Sequence, residues 1–234
     1  TIRWPSNLGV VVVDTLLAGF ATMFGAFRSR KADDRAAGDP RLASRPLSRD
    51  RKGFVVSEGA ACLLLCSRDF AHAHGLRPRA ELAGWSMTSD ARHFVAPHLP
   101  TVRRCMEQAI ASAGIAPEDV DLINAHAAST KVGDAVECEA IHAVFGQRAA
   151  SLPVSANKSQ TGHAMGASSG IETVFAVLGM ERGLALPTIN HLPDPELELD
   201  CVSEGARSLQ AEHVLKNALG FGGANCCLLL RRPS

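Results

Sequence analysis

The chain has 234 residues, with 24 Lys and Arg against 24 Asp and Glu, nine His, seven Cys and no Tyr, and 46% of it is hydrophobic. That balance excludes a disordered or collagen-like chain, and zero formal net charge removes the global cationic field a nucleic-acid-binding protein would use. The longest apolar runs, such as Val10 to Val13 and Ala60 to Cys66, fall far short of the roughly 20 residues a membrane helix needs.

At about 150 residues per domain, the length suits one large domain or two small ones. The start, Thr1-Ile-Arg-Trp-Pro-Ser-Asn7, lacks Met and any signal-peptide pattern, and it reads as an interior point of a longer chain or an engineered boundary. The cysteines, at 62, 66, 105, 138, 201, 226 and 227, are odd in number, form no C-x-x-C pair and have no zinc-site spacing with His. They read as reduced thiols used as small core hydrophobes in a cytoplasm.

In chain order, residues 1–30 mix an apolar run with small residues, and Leu16 to Phe27 suits a helix. Residues 28–53 interleave Arg28, Arg30, Lys31, Arg35, Arg41, Arg45, Arg49, Arg51 and Lys52 with Asp, Gly and two Pro, the composition of an irregular, solvated surface segment. From Gly53 the pattern becomes regular. Gly53 to Val56 and Ala61 to Cys66 read as buried strand, 67–74 as a short helix stopped by Gly75, and 79–87 as another strand. Val102, Met106, Ala109, Ile110 and Ala113 recur at helical spacing before Gly114, and Pro117-Glu118-Asp119 turns into a strand from Val120 to Ala125. A helix over 134–145, a strand over 153–156, a glycine-rich loop over 162–170 and a helix to Arg182 follow. The end reads as an apolar strand, a Gly-Phe-Gly-Gly turn and a closing strand from Asn225 to Leu230. Alternating helices and unbroken apolar strands indicate an α/β protein with helix-covered sheets.

Three polar clusters fall at strand-to-loop junctions, where α/β proteins place their sites. They are Asn124 to Thr130 with Asp134 and Glu137 just beyond, Asn157 to Glu172, and Gly220 to Asn225. A single His after a strand is more often a structural His than a catalyst. Two such residues, His126 and His163, each followed by small residues, favour a ligand site. Two neutral imidazoles can each donate an N–H to one developing oxyanion, which suits a carbonyl becoming an enolate. Lys158 can hold a nearby carboxylate, with Glu172 the candidate. The bland alternative is that Lys158, Asp134, Glu137 and Glu172 form only a buried ion network, and both readings can hold together.

The segments Ser44-Arg-Pro, Arg51 to Ala60, Asn124-Ala-His126, Lys158 to Ala167, Ser169-Gly-Ile-Glu172, Pro187-Thr-Ile-Asn190 and Gly220 to Asn225 stand in the order expected of a β-ketoacyl-acyl-carrier-protein synthase. The chain resembles that family over roughly residues 18–231, closest to the elongating condensing enzymes of type II fatty acid synthesis, with polyketide synthases next. The resemblance implies an α/β, thiolase-like fold of mixed five-stranded sheets layered with helices. It also implies a division into residues 1–76, the end of the N-terminal half, and 77–234, the C-terminal half. It implies decarboxylative Claisen condensation of malonyl carrier with an acyl thioester, with His126 and His163 stabilising the enolate. Lys158 and Glu172 would be the supporting catalytic ion pair, Asp134 and Glu137 their neighbours, and Thr130, Phe221 and Gly222 the substrate-binding positions, with Phe221 the gating Phe.

No metal or dissociable cofactor is implied, since substrates ride on the phosphopantetheine of acyl carrier protein. That acidic carrier is the implied partner, with Arg28, Arg30, Lys31 and Arg35 as candidate contacts, alongside a homodimer in the full-length enzyme, and no nucleic acid or membrane. Three departures stand out. No cysteine has the context of the family's nucleophile, the family's His-Gly-Thr-Ser-Thr reads His126-Ala-Ala-Ser-Thr130, and residues 1–15 match nothing expected there. The chain is therefore expected to be a distal portion that is inactive alone. The alternative is a non-catalytic chain-length-type subunit that pairs with a complete synthase. A thiolase-type acyltransferase is weaker still, because its Gly-His-Pro loop and C-terminal Cys-x-Gly are missing.

Overall fold

Apolar strands and one-sided helices alternate along the chain, and the layers follow from which faces they bury. In the computed structural model, residues 39–233 are described in full and residues 8–13 as backbone alone. The expected helix from Leu16 to Phe27 and the basic residues Arg28, Arg30, Lys31 and Arg35 lie outside the described residues.

Strand β1 (Leu8–Val13) pairs antiparallel with β2 (Ala61–Cys66). Helix α1 (Arg68–Ala73) starts on Ser67, whose side chain accepts from the Phe70 N–H, and Gly75 stands beyond it at φ +62°. Next come β3 (Glu81–Ser89), α2 (Leu99–Ser112), β4 (Leu122–Asn124) and α3 (Lys131–Phe145). They are followed by β5 (Pro153–Ser155), α4 (Lys158–Thr161), α5 (Ser168–Arg182) and β6 (Leu184–Ala185). The chain ends with β7 (Asp200–Cys201), β8 (Arg207–Ser208), β9 (His213–Gly220) and β10 (Ala224–Arg231).

The main sheet runs β3-β10-β9-β4-β5-β7. Pairing is antiparallel from β3 through β9 and parallel from β9 to β7. Its two faces bury different cores, as the period-2 alternation of strands requires. Ile123, Val154, Leu215, Cys227 and Leu229 pack with Val102, Cys105, Met106 and Ile110 of α2 and Cys138 and Ile141 of α3. On the opposite face Leu122, Val214 and Leu230 pack with Ala176 and Met180 of α5. The mixed, helix-covered sheet expected from the sequence is present, and the two-residue β7 adds a sixth strand to the five.

Several local expectations need correction. Gly53 to Val56 is not a strand, because its only bridge is Val56 to His163. β2 is a strand but not a buried one: Leu64 is 61% exposed and Cys62 is also exposed. A continuous apolar run signals cover on both faces, whereas among the described residues β2 pairs edge-to-edge with β1 and meets α5. Of the thiols, Cys105, Cys138 and Cys227 are core residues, and all seven are free. The described part of the basic segment is irregular and only partly solvated: Asp39 to Ala43, Arg49 and Lys52 are exposed, whereas Ser44, Leu47, Ser48 and Arg51 are buried. Arg51 pairs with Asp194 at 2.5 Å and donates to the carbonyls of Ser48, Thr130 and Lys131. A guanidinium with five donors can tie together carbonyls that no regular element satisfies. Among the described residues, no helix is long and apolar enough to cross a membrane.

Close approach of α2 to β3 depends on Gly84. A Cβ there would stand 2.4 Å from the Ala109 carbonyl oxygen and 2.8 Å from the Ala113 Cβ. Gly84→Val is expected to lower stability by about 1–3 kcal/mol through overpacking, measured as a lower midpoint in denaturant. An unchanged midpoint would show that α2 can retreat without cost.

Candidate functional site

The strands β9, β4 and β5 are parallel neighbours, so their carboxyl ends deliver three loops to one edge of the sheet. These are the three polar clusters seen in the sequence. The loop after β4 carries His126, the turn beyond β5 and α4 carries His163, and the β9–β10 connection carries Phe221 and Gly222. The two imidazole centroids lie 5.4 Å apart with ring planes at 79°.

Each ring is held at Nδ1. The Met165 N–H donates to His163 Nδ1 at 3.1 Å, with Ser168 Oγ at 2.9 Å. Lys158 Nζ stands 3.4 Å from His126 Nδ1. A donor at Nδ1 makes that nitrogen the acceptor and leaves the proton on Nε2. Both rings are thus fixed as Nε2–H donors. Met165 and Ser129 adopt positive φ, +51° and +66°, a conformation uncommon for residues with a Cβ. The turn at Gly162, φ +69°, has no room for a side chain, because a Cβ would sit 2.9 Å from the Val55 carbonyl oxygen. That carbonyl accepts the His163 N–H at 2.7 Å, and the Ser57 N–H returns to the His163 carbonyl at 3.0 Å.

The acidic residues divide by task. Glu137, buried, accepts the N–H groups of His126 at 2.8 Å and Ala127 at 2.7 Å, and Asn217 Nδ2 at 3.0 Å. Asn217 Oδ1 in turn takes the Cys227 thiol at 3.3 Å. Asp134 accepts the Leu47 N–H at 2.8 Å and the Thr130 N–H at 3.0 Å, with the Thr130 hydroxyl at 3.4 Å. Burial pushes Asp134 up to about 6, aided by the Glu137 charge and opposed by those two N–H groups and Arg51. Neither carboxylate is paired with Lys158, so the four-membered ion network considered from the sequence is not what forms.

The buried ion cluster is instead a triad. Glu172 Oε1 lies 2.5 Å from Lys158 Nζ and Oε2 lies 2.6 Å from Lys216 Nζ, each side chain 1% exposed. Lys158 Nζ also donates to the His126 carbonyl at 2.6 Å. Burial alone would raise Glu172, but the two ammonium groups outweigh it and hold the carboxylate below its usual range. Burial lowers Lys158 against the pull of Glu172. Burial, then Lys158, then His163 and Lys216, lower His126 well below the ordinary imidazole value. Burial and Lys158 bring His163 down to about 3, with Glu172 opposing and Lys216 assisting.

The mouth of the site is aromatic. Phe54 meets His163 edge-on at 5.5 Å and Phe221 at 6.5 Å, and Phe221 stacks on Phe94 at 5.6 Å and 21°. The Gly222 N–H, on a residue at φ +78°, donates to the Phe94 carbonyl at 2.8 Å. The structure thus brings together His126, His163, Lys158 and Glu172, sets Glu137 and Asp134 under the backbone of the His126 loop, and puts Phe221 and Gly222 at the rim. Thr130 spends its N–H and hydroxyl on Asp134. Sequence reasoning missed Lys216, Asn217 and Phe94. The available signal for the first two was polarity inside an apolar strand, Val214-Leu-Lys-Asn-Ala-Leu219. Phe94, in an irregular loop, had none. Among the described residues no three or more His, Cys, Asp or Glu side chains gather as for a metal ion.

A mixed sheet covered by helices, with polar loops at the carboxyl ends of its parallel strands, is a thiolase-like layout. Residues 79–191 match the family model described as Beta-ketoacyl synthase, C-terminal domain, and the chain belongs to the β-ketoacyl synthase family. It is 40% identical over 228 residues to 3-oxoacyl-[acyl-carrier-protein] synthase 2 of Coxiella burnetii, covering 94% of this chain and 55% of that protein. It is 41% identical over 213 residues to the protein of the same name from Staphylococcus aureus strain COL, covering 89% and 50%. The chain thus spans about half the length of the curated relatives it matches.

Among solved structures it is similar to a β-ketoacyl synthase from Burkholderia phymatum STM815, with a TM-score of 0.87, 33% identity and coverage of 97% of this chain and 55% of that one. It is also similar to a type II PKS acyl-carrier protein in complex with its ketosynthase bound to the hexaketide, with a TM-score of 0.89, 31% identity and coverage of 97% and 56%.

The depressed imidazoles set a pH dependence. Folded His163 titrates near 3 while its unfolded value is 6.5, so from about 6.5 downward the unfolded chain binds protons that the folded chain does not. This contribution to stability is held above about 6.5 and lost as pH falls. Imidazole carbon-13 NMR is expected to show His126 and His163 neutral from pH 8 to about 5; a midpoint near 6.5 for either would contradict this.

Proposed function

We propose that this chain supplies the enolate-forming half of a decarboxylative Claisen condensation, joining malonyl carrier to an acyl thioester in fatty acid or polyketide synthesis. The observation that carries the reading is the pair of neutral imidazoles, each pinned at Nδ1 and each presenting Nε2–H, with centroids 5.4 Å apart. A malonyl thioester oxygen accepting from both becomes a better electron sink. The bond from the α-carbon to the carboxylate then breaks, carbon dioxide leaves, and the electron pair remains as an enolate held by the two N–H groups. The enolate carbon attacks the acyl thioester carbonyl, forms the new carbon–carbon bond and expels a thiolate.

Neutrality matters for this chemistry. An imidazolium would hand its proton to the enolate carbon and quench it, whereas neutral imidazole donates a hydrogen bond and keeps its proton. Lys158 and Glu172 maintain the charged surroundings, and Glu137 and Asp134 hold the loop. Phe221 and Gly222 stand where the arm of the substrate would enter, with Thr130 on the His126 loop.

The acyl-accepting cysteine of the reaction is assigned to no residue of this chain. The buried thiols Cys105, Cys138 and Cys227 donate to the Ser86 carbonyl, the Leu197 carbonyl and Asn217 Oδ1, not to an imidazole. On this reading residues 1–76 close an N-terminal half, 77–234 form the C-terminal half, and the complete condensation needs groups beyond this chain. Acyl carrier protein is the partner, a homodimer the assembly and the cytoplasm the compartment. Substrates ride on phosphopantetheine and no other cofactor takes part.

Carbon dioxide release from malonyl carrier tests the reading, since decarboxylation uses the two His and not the nucleophile. His163→Ala is expected to lower kcat by about 10²–10³, the usual effect of losing one oxyanion donor. Equal rates in the two proteins would sink the proposal and leave the non-catalytic chain-length-type subunit.

A further inference from the structure

Lys216 has no part in the chemistry above, yet it is among the most completely buried side chains of the molecule. It sits in the middle of β9, opposite Asn124 on one neighbouring strand and Leu228 on the other. The same face of β9 carries Val214, which packs with Leu122, Leu230 and α5 in an apolar core. Packing alone would place an apolar residue at 216. A buried ammonium is strongly disfavoured unless it is paired, and the carboxylate it pairs with, Glu172, already has a partner in Lys158. The second ammonium therefore does more than neutralise Glu172.

The arrangement is a clamp of two cations on one anion. Lys158, Lys216 and Glu172 together carry one excess positive charge, and Lys158 Nζ lies 3.4 Å from His126 Nδ1. The other charged groups facing this region are Glu137, which accepts the His126 and Ala127 N–H groups, and Asp134, beneath Thr130. Lys216 Nζ donates to the Asn217 carbonyl, and the Asn217 side chain reaches Glu137. The β9 pair Lys216 and Asn217 thus touches Glu172, which anchors Lys158, and Glu137, which accepts two N–H groups of the His126 loop.

We propose that Lys216 is a positioning residue of this site. With Lys158 it holds both oxygens of Glu172, and so fixes the ammonium beside the His126 ring while its added charge favours an anion formed in front of the imidazoles. The assignment deepens the enolate reading and rests on it for the second half of the statement only. Both imidazoles feel Lys216 in the direction the proposal requires.

The test compares the protein with Lys216→Met, Lys216→Gln and Lys216→Arg. Far-UV circular dichroism establishes which variants fold, and Gln keeps a neutral donor to Glu172 should Met fail. Imidazole midpoints are followed by NMR down to the acid limit of the folded state. The neutral variants are expected to move the His163 midpoint upward, while Arg leaves it unmoved. Carbon dioxide release from malonyl carrier is expected to lose at least about tenfold in kcat in the neutral variants with KM little changed, and to be retained in Arg. Folded neutral variants whose imidazoles titrate as in the parent, or stay neutral to the acid limit alongside it, overturn the proposal and leave Lys216 as a pin between β9 and α5. Shifted midpoints in a protein that releases no carbon dioxide at all would instead fault the enolate reading and leave the electrostatic role of Lys216 standing.

Discussion

One buried carboxylate joins the lysine beside the His126 ring to the sheet and to α5. Glu172, five residues into α5, meets a lysine from α4 and a lysine from β9, so three elements from different layers converge on two oxygens. All three side chains are buried, and in such a place a charge left without its partner is strongly disfavoured. The triad accordingly fixes where α5 can lie on the sheet. It also fixes where Lys158 can aim its remaining protons, one toward the His126 carbonyl and one toward the His126 ring. A lysine free to move would not settle the tautomer of that ring.

Around this centre, backbone N–H groups do the work that side chains do elsewhere. The His126 loop hangs on Glu137 and Asp134 through three main-chain donors, His126, Ala127 and Thr130, and the Leu47 N–H ties its own segment to the same Asp134. The His163 ring is held by the Met165 N–H. Main-chain donors at fixed positions need no rotamer freedom to be removed when a charge appears, which is the condition for an electrostatically preorganised site.

The sequence displayed the parts of this molecule whose rule is local. α2 shows helical spacing and ends on Gly114, the helix expected to run to Arg182 ends on Gly183, both glycines at positive φ, and the two His lie beyond apolar strands. What stayed hidden depends on neighbours distant in sequence. The two-residue strands β6, β7 and β8 have too few residues to show a period. The stretch from Gly53 to Val56 looks like a strand because it is apolar, yet it spends its main chain on His163 and Ser129. Arg51 reads as a surface cation because its composition is that of a loop, and it is buried because Asp194 and three carbonyls surround it. Lys216 was visible as a charge in an apolar strand, but its partner lies 44 positions earlier on another element.

The segment from Ser44 to Ser57 runs along both imidazole loops without belonging to the sheet. Ser44 Oγ reaches the Lys158 carbonyl across 114 positions of chain, and the Leu47 N–H reaches Asp134 across 87. Closing loops of that size carries an entropic cost that short-range contacts do not repay, and topologies rich in such contacts fold slowly. The sheet is closed across distances of the same order, since β3 meets β10 with Ser89 opposite Ala224 and β4 meets β9 with Leu122 opposite Val214. Scaffold and imidazole loops are thus stitched by equally remote partners, and by its topology the described chain belongs with domains that fold slowly.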